Sequence, residues 1–166
     1  MQDVRRQVRR CYGLLFTFMV LGCSEPTETA PAFEAELIRA LFTDAWNTGD
    51  VSMLDASSLG DSVLFHYRGS SMPQRVEDLE SLIAHWRSAF PDLRMELLDL
   101  IQEGDLVAAR VRYSGTHEGT WFGIAPTGRS VEVDEMMFFR FESGRLVEAW
   151  EVDDQLTMRT QLGLIN

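Results

Sequence analysis

The sequence predicts an α+β fold, with helices first and a curved antiparallel meander after them. Three observations carry this. Apolar residues step by four in the N-terminal half. The period changes to two after Pro91. The period-two segments are joined by turns too short for a crossover, so they pair antiparallel.

Taken in order, Phe33, Leu37, Leu41 and Ala45, with Ile38, Phe42 and Trp46 alongside, predict an amphipathic helix. Asn47-Thr48-Gly49-Asp50 stops it. A short helix is expected over 52–57 and a short strand over 62–67. Val76, Leu79, Ile83 and Trp86 or Phe90 share one face of a second long helix, which Pro91 ends. Strands are expected over 94–102, 106–116, 130–141 and 146–152, with turns at Glu103-Gly104-Asp105 and Ser143-Gly144. The longer, Gly-containing stretch 118–129 is a loop, and 154–162 closes the chain as a short helix or turn.

Composition sets limits on function. The chain has 166 residues, room for about one domain. With 45% apolar and 25% charged residues it has the balance of a folded protein. A net charge of −11 argues against nucleic acid as a partner, since phosphates need a basic face. All 15 basic residues are Arg, which excludes Schiff-base lysine chemistry and the P-loop lysine. Cys11 and Cys23 do not form metal-ligand spacings with the three histidines.

The first residues have the layout of an export signal. Arg5, Arg6, Arg9 and Arg10 precede an apolar run from Tyr12 to Leu21. That run is too short to span a bilayer, which takes about 20 residues. It ends in Val20-Leu21-Gly22-Cys23, which resembles a bacterial lipobox. Residues 1–22 are then expected to be a lipoprotein signal peptide, with Cys23 acylated and the mature N-terminus. Residues 23–32 read as a polar, Pro-containing tether and 33–166 as the domain. Ser24 beside the cysteine resembles the outer-membrane sorting pattern. The mature chain would keep 11 Arg and 25 acids, a formal charge of −14.

Strand alternation proposes which side chains point inward. Val107, Ala109, Val111 and Tyr113 share the inward face of their strand, and His117 continues that phase. On the next strand Val131, Val133, Glu135, Met137, Phe139 and Phe141 form one set. An inward Glu135 and an inward His117 would make an acid–base pair in an apolar cavity. A one-residue slip at a bulge would replace Glu135 by Asp134.

A resemblance enters on several ordered motifs. These are Phe90-Pro91-Asp92-Leu93, Glu103-Gly104-Asp105-Leu106, Gly115-Thr116-His117-Glu118-Gly119, Gly123 to Arg129, and Phe139-Arg140-Phe141. Trp46 to Asp50, Asp61 to His66, Gly144 to Glu148, Trp150, Asp154 and Gln161-Leu162-Gly163 agree as well. Together they resemble the SnoaL-like polyketide cyclase family, also called ester cyclases, over about residues 33–163. The resemblance implies a cone-shaped barrel of the nuclear transport factor 2-like kind. In it a curved antiparallel sheet wraps over N-terminal helices around one apolar pocket, commonly in dimers or higher homo-oligomers.

The resemblance also implies an acidic residue that acts as acid–base in an intramolecular aldol closure, with a histidine nearby and no metal or organic cofactor. His117 matches the family histidine. The acid belongs on strand 130–141 near Met137, so Glu135 or Asp134 would substitute for it here. Asp154 matches the acid of the terminal motif, and is equally suited to cap the last helix. Trp46, His66, Tyr113, Met137, Phe139 and Trp150 are the expected binding residues.

Two functions follow as expectations. One is cofactor-free acid–base catalysis, of cyclase or isomerase type, on a small apolar carbonyl compound. The other is a tethered, non-catalytic carrier of small hydrophobic molecules. The export signal favours the second, because aromatic polyketide cyclases work on intermediates inside the cell.

Overall fold

A computed structural model describes residues 33–55 and 57–165. The expected signal peptide and the whole tether, Cys23 included, lie outside the described residues.

The first expected helix forms as one rod with a π turn inside it. It is α-helical over Phe33–Ala40 (α1), π-helical over Leu41–Ala45, and α-helical again over Trp46–Thr48 (α2). The four-residue apolar stripe buries Leu37, Ile38, Leu41, Phe42, Ala45 and Trp46. Its end is specified twice. Gly49 adopts φ +83°, a left-handed cap that a side chain disfavours. Asn47 bonds both backbone groups of Met95, accepting from its N–H at 2.7 Å and donating to its C=O at 2.9 Å. Trp46 is thereby locked against the sheet.

The described residues of 52–57, expected as a short helix, form turns and bends instead, in which Asp55 Oδ1 accepts from the backbone N–H of Ser57 and Ser58. Asp and Ser compete for backbone partners and favour such turns over helix.

The sheet has six strands in the order β2-β1-β6-β5-β4-β3. These are Leu59–Tyr67 (β1), Ser70–Gln74 (β2), Arg94–Glu103 (β3), Leu106–Thr116 (β4), Ser130–Glu142 (β5) and Arg145–Asp153 (β6). β3 to β6 form the expected meander. The sheet is mixed rather than wholly antiparallel, because β1 pairs with β6 in parallel. β2 was not expected, since Pro73 interrupts its pattern. It is tolerated because β2 is an edge strand with one free side.

Val76–Ala89 (α3) closes the inner face of the sheet, and Gln155–Gln161 (α4) follows β6. Every second residue of β5 from Val131 to Phe141 is buried, as are Val107, Ala109, Val111 and Tyr113 of β4.

The loop after β4 is fastened to the end of α3. The Glu118 and Gly119 N–H groups both donate to the Ala89 C=O, at 3.0 and 2.9 Å. A Cβ on Gly119 would stand 2.2 Å from the Ser88 carbonyl oxygen, a backbone atom that cannot step aside. Gly119→Ala should therefore cost about 2 kcal/mol, read as a lower midpoint in urea unfolding.

Candidate functional site

A cavity of about 480 Å³ lies between the helices and the inner face of the sheet. That volume suits a small organic ligand. Its walls are largely apolar and aromatic, with Phe42 and Trp46 from the first helical rod, Trp86 from α3, Tyr113 from β4, and Met137 and Phe139 from β5.

Three carboxylates interrupt this apolar wall: Glu135, Glu151 and Asp153. Strand register brings them together. On β5 and β6 Glu135 faces Asp153 and Met137 faces Glu151, so all three acids share the inner face. Glu135 is only 8% exposed. None of the three is in an ion pair among the described residues. Asp153 accepts from the Tyr67 hydroxyl at 3.1 and 3.2 Å and from the Gln155 amide.

The electrostatics follow from that crowding. Burial, and then the charges of Glu151 and Asp153, push the Glu135 carboxyl well above its ordinary range. Burial and the Asp153 charge push Glu151 up to about 8. Like charges this close cannot all ionise cheaply, so Glu135 and Glu151 hold their protons above the ordinary carboxylate range. Burial also raises the Tyr113 and Tyr67 hydroxyls, which stay protonated.

Of the residues singled out in the sequence, Glu135, Trp46, Tyr113, Met137 and Phe139 line this cavity. The others lie elsewhere. His117 is fully buried but beyond the cavity's end, stacked on Phe90 with ring centroids 5.1 Å apart. Val111, not His117, pairs with Glu135, and the step of six residues from Val111 to His117, just past β4, spans roughly 20 Å. The expected His117–Glu135 pair therefore does not form. His117 Nδ1 instead accepts the Thr127 backbone N–H at 3.3 Å, and burial lowers its pKa.

Asp134 points to the outer face, where Arg112 holds it at 2.7 Å and lowers its pKa. No bulge displaces β5 against β4, so the slip that would have turned Asp134 inward is absent. Asp154 caps α4, accepting from the Thr157 N–H at 2.9 Å. His66 and Trp150 also face outward. They stack at 5.1 Å, and His66 Nε2 bonds Glu148 at 2.7 Å.

Glu151 and Asp153 were not singled out in the sequence. A bulge between the Arg140 and Phe141 pairings shifts β6 by one residue. Leu146 and Ala149 are consequently both buried, although their spacing is odd. The shift sends Glu151 and Asp153 inward and the apolar Val152, 73% exposed, outward. The signal available was the cluster Glu151-Val152-Asp153-Asp154 itself, with acids at alternate positions beside a strand that carries Glu135.

Comparison with known proteins agrees with this architecture. The SnoaL-like polyketide cyclase family profile matches residues 36–162. No curated protein matches the chain. Among solved structures, IdmH from Streptomyces antibioticus, described as a candidate polyketide cyclase, is 31% identical, with a TM-score of 0.66, covering 78% of this chain and 98% of its own. TsrD from Streptomyces laurentii is 30% identical with a TM-score of 0.71, over 83% of this chain and 100% of its own. AclR from Streptomyces galilaeus, described as a candidate hydroxylase, is 28% identical with a TM-score of 0.66, over 80% and 87%. On the profile match and the shared cone of helices and curved mixed sheet, the chain belongs to the SnoaL-like polyketide cyclase family, within the nuclear transport factor 2-like fold.

Proposed function

We propose that this protein is an enzyme that moves a proton next to the carbonyl of a small apolar compound, using its own side chains and no cofactor. The observation that carries the reading is Glu135, buried and unpaired on the wall of an apolar cavity beside two further carboxyls. A carboxylate in such a place is a stronger base than in water. Glu135 takes the α-proton in the fraction of molecules in which it is ionised, a fraction that grows as pH rises. Glu151, in its acid form up to about pH 8, donates a hydrogen bond to the carbonyl oxygen as negative charge builds there. The resulting enolate has two outcomes. Return of the proton to a different carbon is an isomerisation. Attack of the enolate carbon on a second carbonyl of the same molecule, with the Glu135 proton delivered to the new alkoxide, is a cyclisation.

The test is deuterium wash-in. An apolar cyclic ketone of cavity size, incubated with the protein in D2O, should gain deuterium at its α-carbon, followed by NMR. A ketone that binds and gains none overturns the enzymatic reading.

That second result is what a non-catalytic carrier would give, and the N-terminal sequence favours a carrier at the envelope. We propose the envelope, and the outer membrane in particular, as the site of action for either reading. Support comes from the basic start, the apolar run and Gly22-Cys23. Radioactive palmitate should label the chain expressed in a Gram-negative host, and the label should vanish in Cys23→Ser.

A further inference from the structure

We infer that the natural ligand of this cavity carries a positively charged nitrogen on an apolar body, with the nitrogen seated among Glu135, Glu151 and Asp153. The inference rests on reading the cavity as the working site. It adds the charge of the ligand, which that reading leaves open.

The first support is a missing counter-charge. Arg110, Arg112 and Arg140 of the sheet are committed to acids on the outer face. Inside, three carboxylates face one another with no cation bonded to any of them among the described residues. Arg68, Arg75 and Arg159 also line this space, Arg68 on the side of Glu151 and Asp153, but none bonds an acid of the cluster. Arg68 sits over the Tyr67 ring, 5.7 Å from its centroid. Buried carboxyls without a cation keep their protons. Among the described residues no cationic side chain is bonded to them, so a ligand ammonium is the group that would let them ionise.

The second support is Glu135 itself. Its side chain is more than nine-tenths buried and lines the cavity, yet among the described residues no hydrogen-bond donor reaches it. Asp153 differs, since Tyr67 and Gln155 donate to it. Glu135 is thus an acceptor turned toward the space a ligand would fill. The third support is the aromatic part of the lining. Trp46 and Trp86 meet edge to face at 6.4 Å, and Trp86 meets Tyr113 at 5.4 Å. Such rings receive the apolar body, and their faces attract an ammonium group.

The groups that titrate around the nitrogen are Glu135 from β5, Glu151 and Asp153 from β6, Tyr113 from β4 and Tyr67 from β1. The tyrosines stay neutral, and Glu151 changes charge near pH 8. A cation should therefore bind more tightly as Glu151 ionises, and release protons from the buried glutamates as it binds.

The probes are benzyltrimethylammonium, which never loses its charge, and neopentylbenzene, its neutral carbon isostere. Binding to the full chain is read by fluorescence of the cavity tryptophans. The cation should bind at least tenfold tighter than the isostere at pH 8.5. Its affinity should fall at least tenfold at pH 5.5, while the isostere's stays level. Calorimetry in two buffers of different ionisation enthalpy should show proton release with the cation alone. Glu151→Gln should reduce the preference, and Glu135→Gln/Glu151→Gln/Asp153→Asn should remove it while still binding the isostere.

Equal affinity for the two probes in the unaltered protein overturns the inference, whatever the variants do. So does a preference that survives the loss of all three acids. The outcomes are separable from those of the proton-transfer reading. Deuterium wash-in without cation preference removes this inference and leaves the enzyme. Cation preference without wash-in leaves the ligand class and removes the enzyme.

Discussion

Glu135→Gln should slow deuterium wash-in by about 10³-fold, the loss typical of removing a general base. Glutamine keeps the size and shape of the side chain, so the cavity keeps its form. It cannot accept a proton from carbon. The variant should also be at least as stable as the parent above pH 8, because it removes a carboxylate that burial and two neighbouring acids penalise. Activity lost while stability holds separates a chemical role from a structural one. Asp134→Asn is the control. Asp134 neighbours Glu135 in sequence but faces outward, held by Arg112 at 2.7 Å. Its replacement should leave wash-in within about twofold of the parent, in the range of changes that touch no reacting group. His117→Ala should act through stability instead, since it empties a fully buried site beyond the cavity's end. Wash-in that survives Glu135→Gln would remove the carboxylate from the mechanism.

The helices and the meander were legible because their periods are clean. Four-residue steps from Phe33 and strict alternation along β4 and β5 each leave one face apolar, and burial follows that face. Glu135 was legible for the same reason, as a charge caught in an otherwise apolar set. Its partners were hidden by two departures from alternation. The bulge in β6 changes the phase midway, and beyond it the usual rule is inverted, with Trp150 and Val152 outward and Glu151 and Asp153 inward. Hydropathy alone assigns Trp150 to the pocket. What turns the strand over is pairing with β1, which sets Phe65 against Ala149 and Tyr67 against Glu151 on the inner face. That parallel contact joins residues far apart in sequence and leaves no local trace. β2 was hidden by Pro73, and the reach of His117 by a count of residues that phase does not supply. Sites that break the local rule are where functional groups are expected to collect, because a folded chain accepts such a cost only where the surroundings hold it.

The cost of the buried acids gives the second large effect, a stability that falls as pH rises. Glu135 and Glu151 have folded pKa values above their ordinary ones. Between roughly pH 4.5 and pH 8 the folded chain therefore binds more protons than the unfolded chain. The slope of unfolding free energy with pH is then negative. The contribution is complete below the ordinary carboxyl value and is lost as pH passes about 8 for Glu151. Asp92 and Asp134 work in the opposite sense, since bonds to Thr116 and Arg112 lower their pKa values. Their stabilisation is present above about pH 4 and fades only in stronger acid. The two trends place the maximum near pH 5, with a loss on the order of 3 kcal/mol by pH 9. For a domain of this size that is a fall in Tm of about 10 °C, read by calorimetry. Self-repulsion of the acidic surface cannot produce it, since surface carboxylates are fully ionised by about pH 6 and add no charge beyond it. Glu151→Gln supplies the decisive comparison. It should flatten the decline and make the variant the more stable protein at pH 9. A parent Tm that rises from pH 6 to pH 9 would mean that these carboxyls are not protonated in the folded state, and that water reaches them as freely as it does in the unfolded chain.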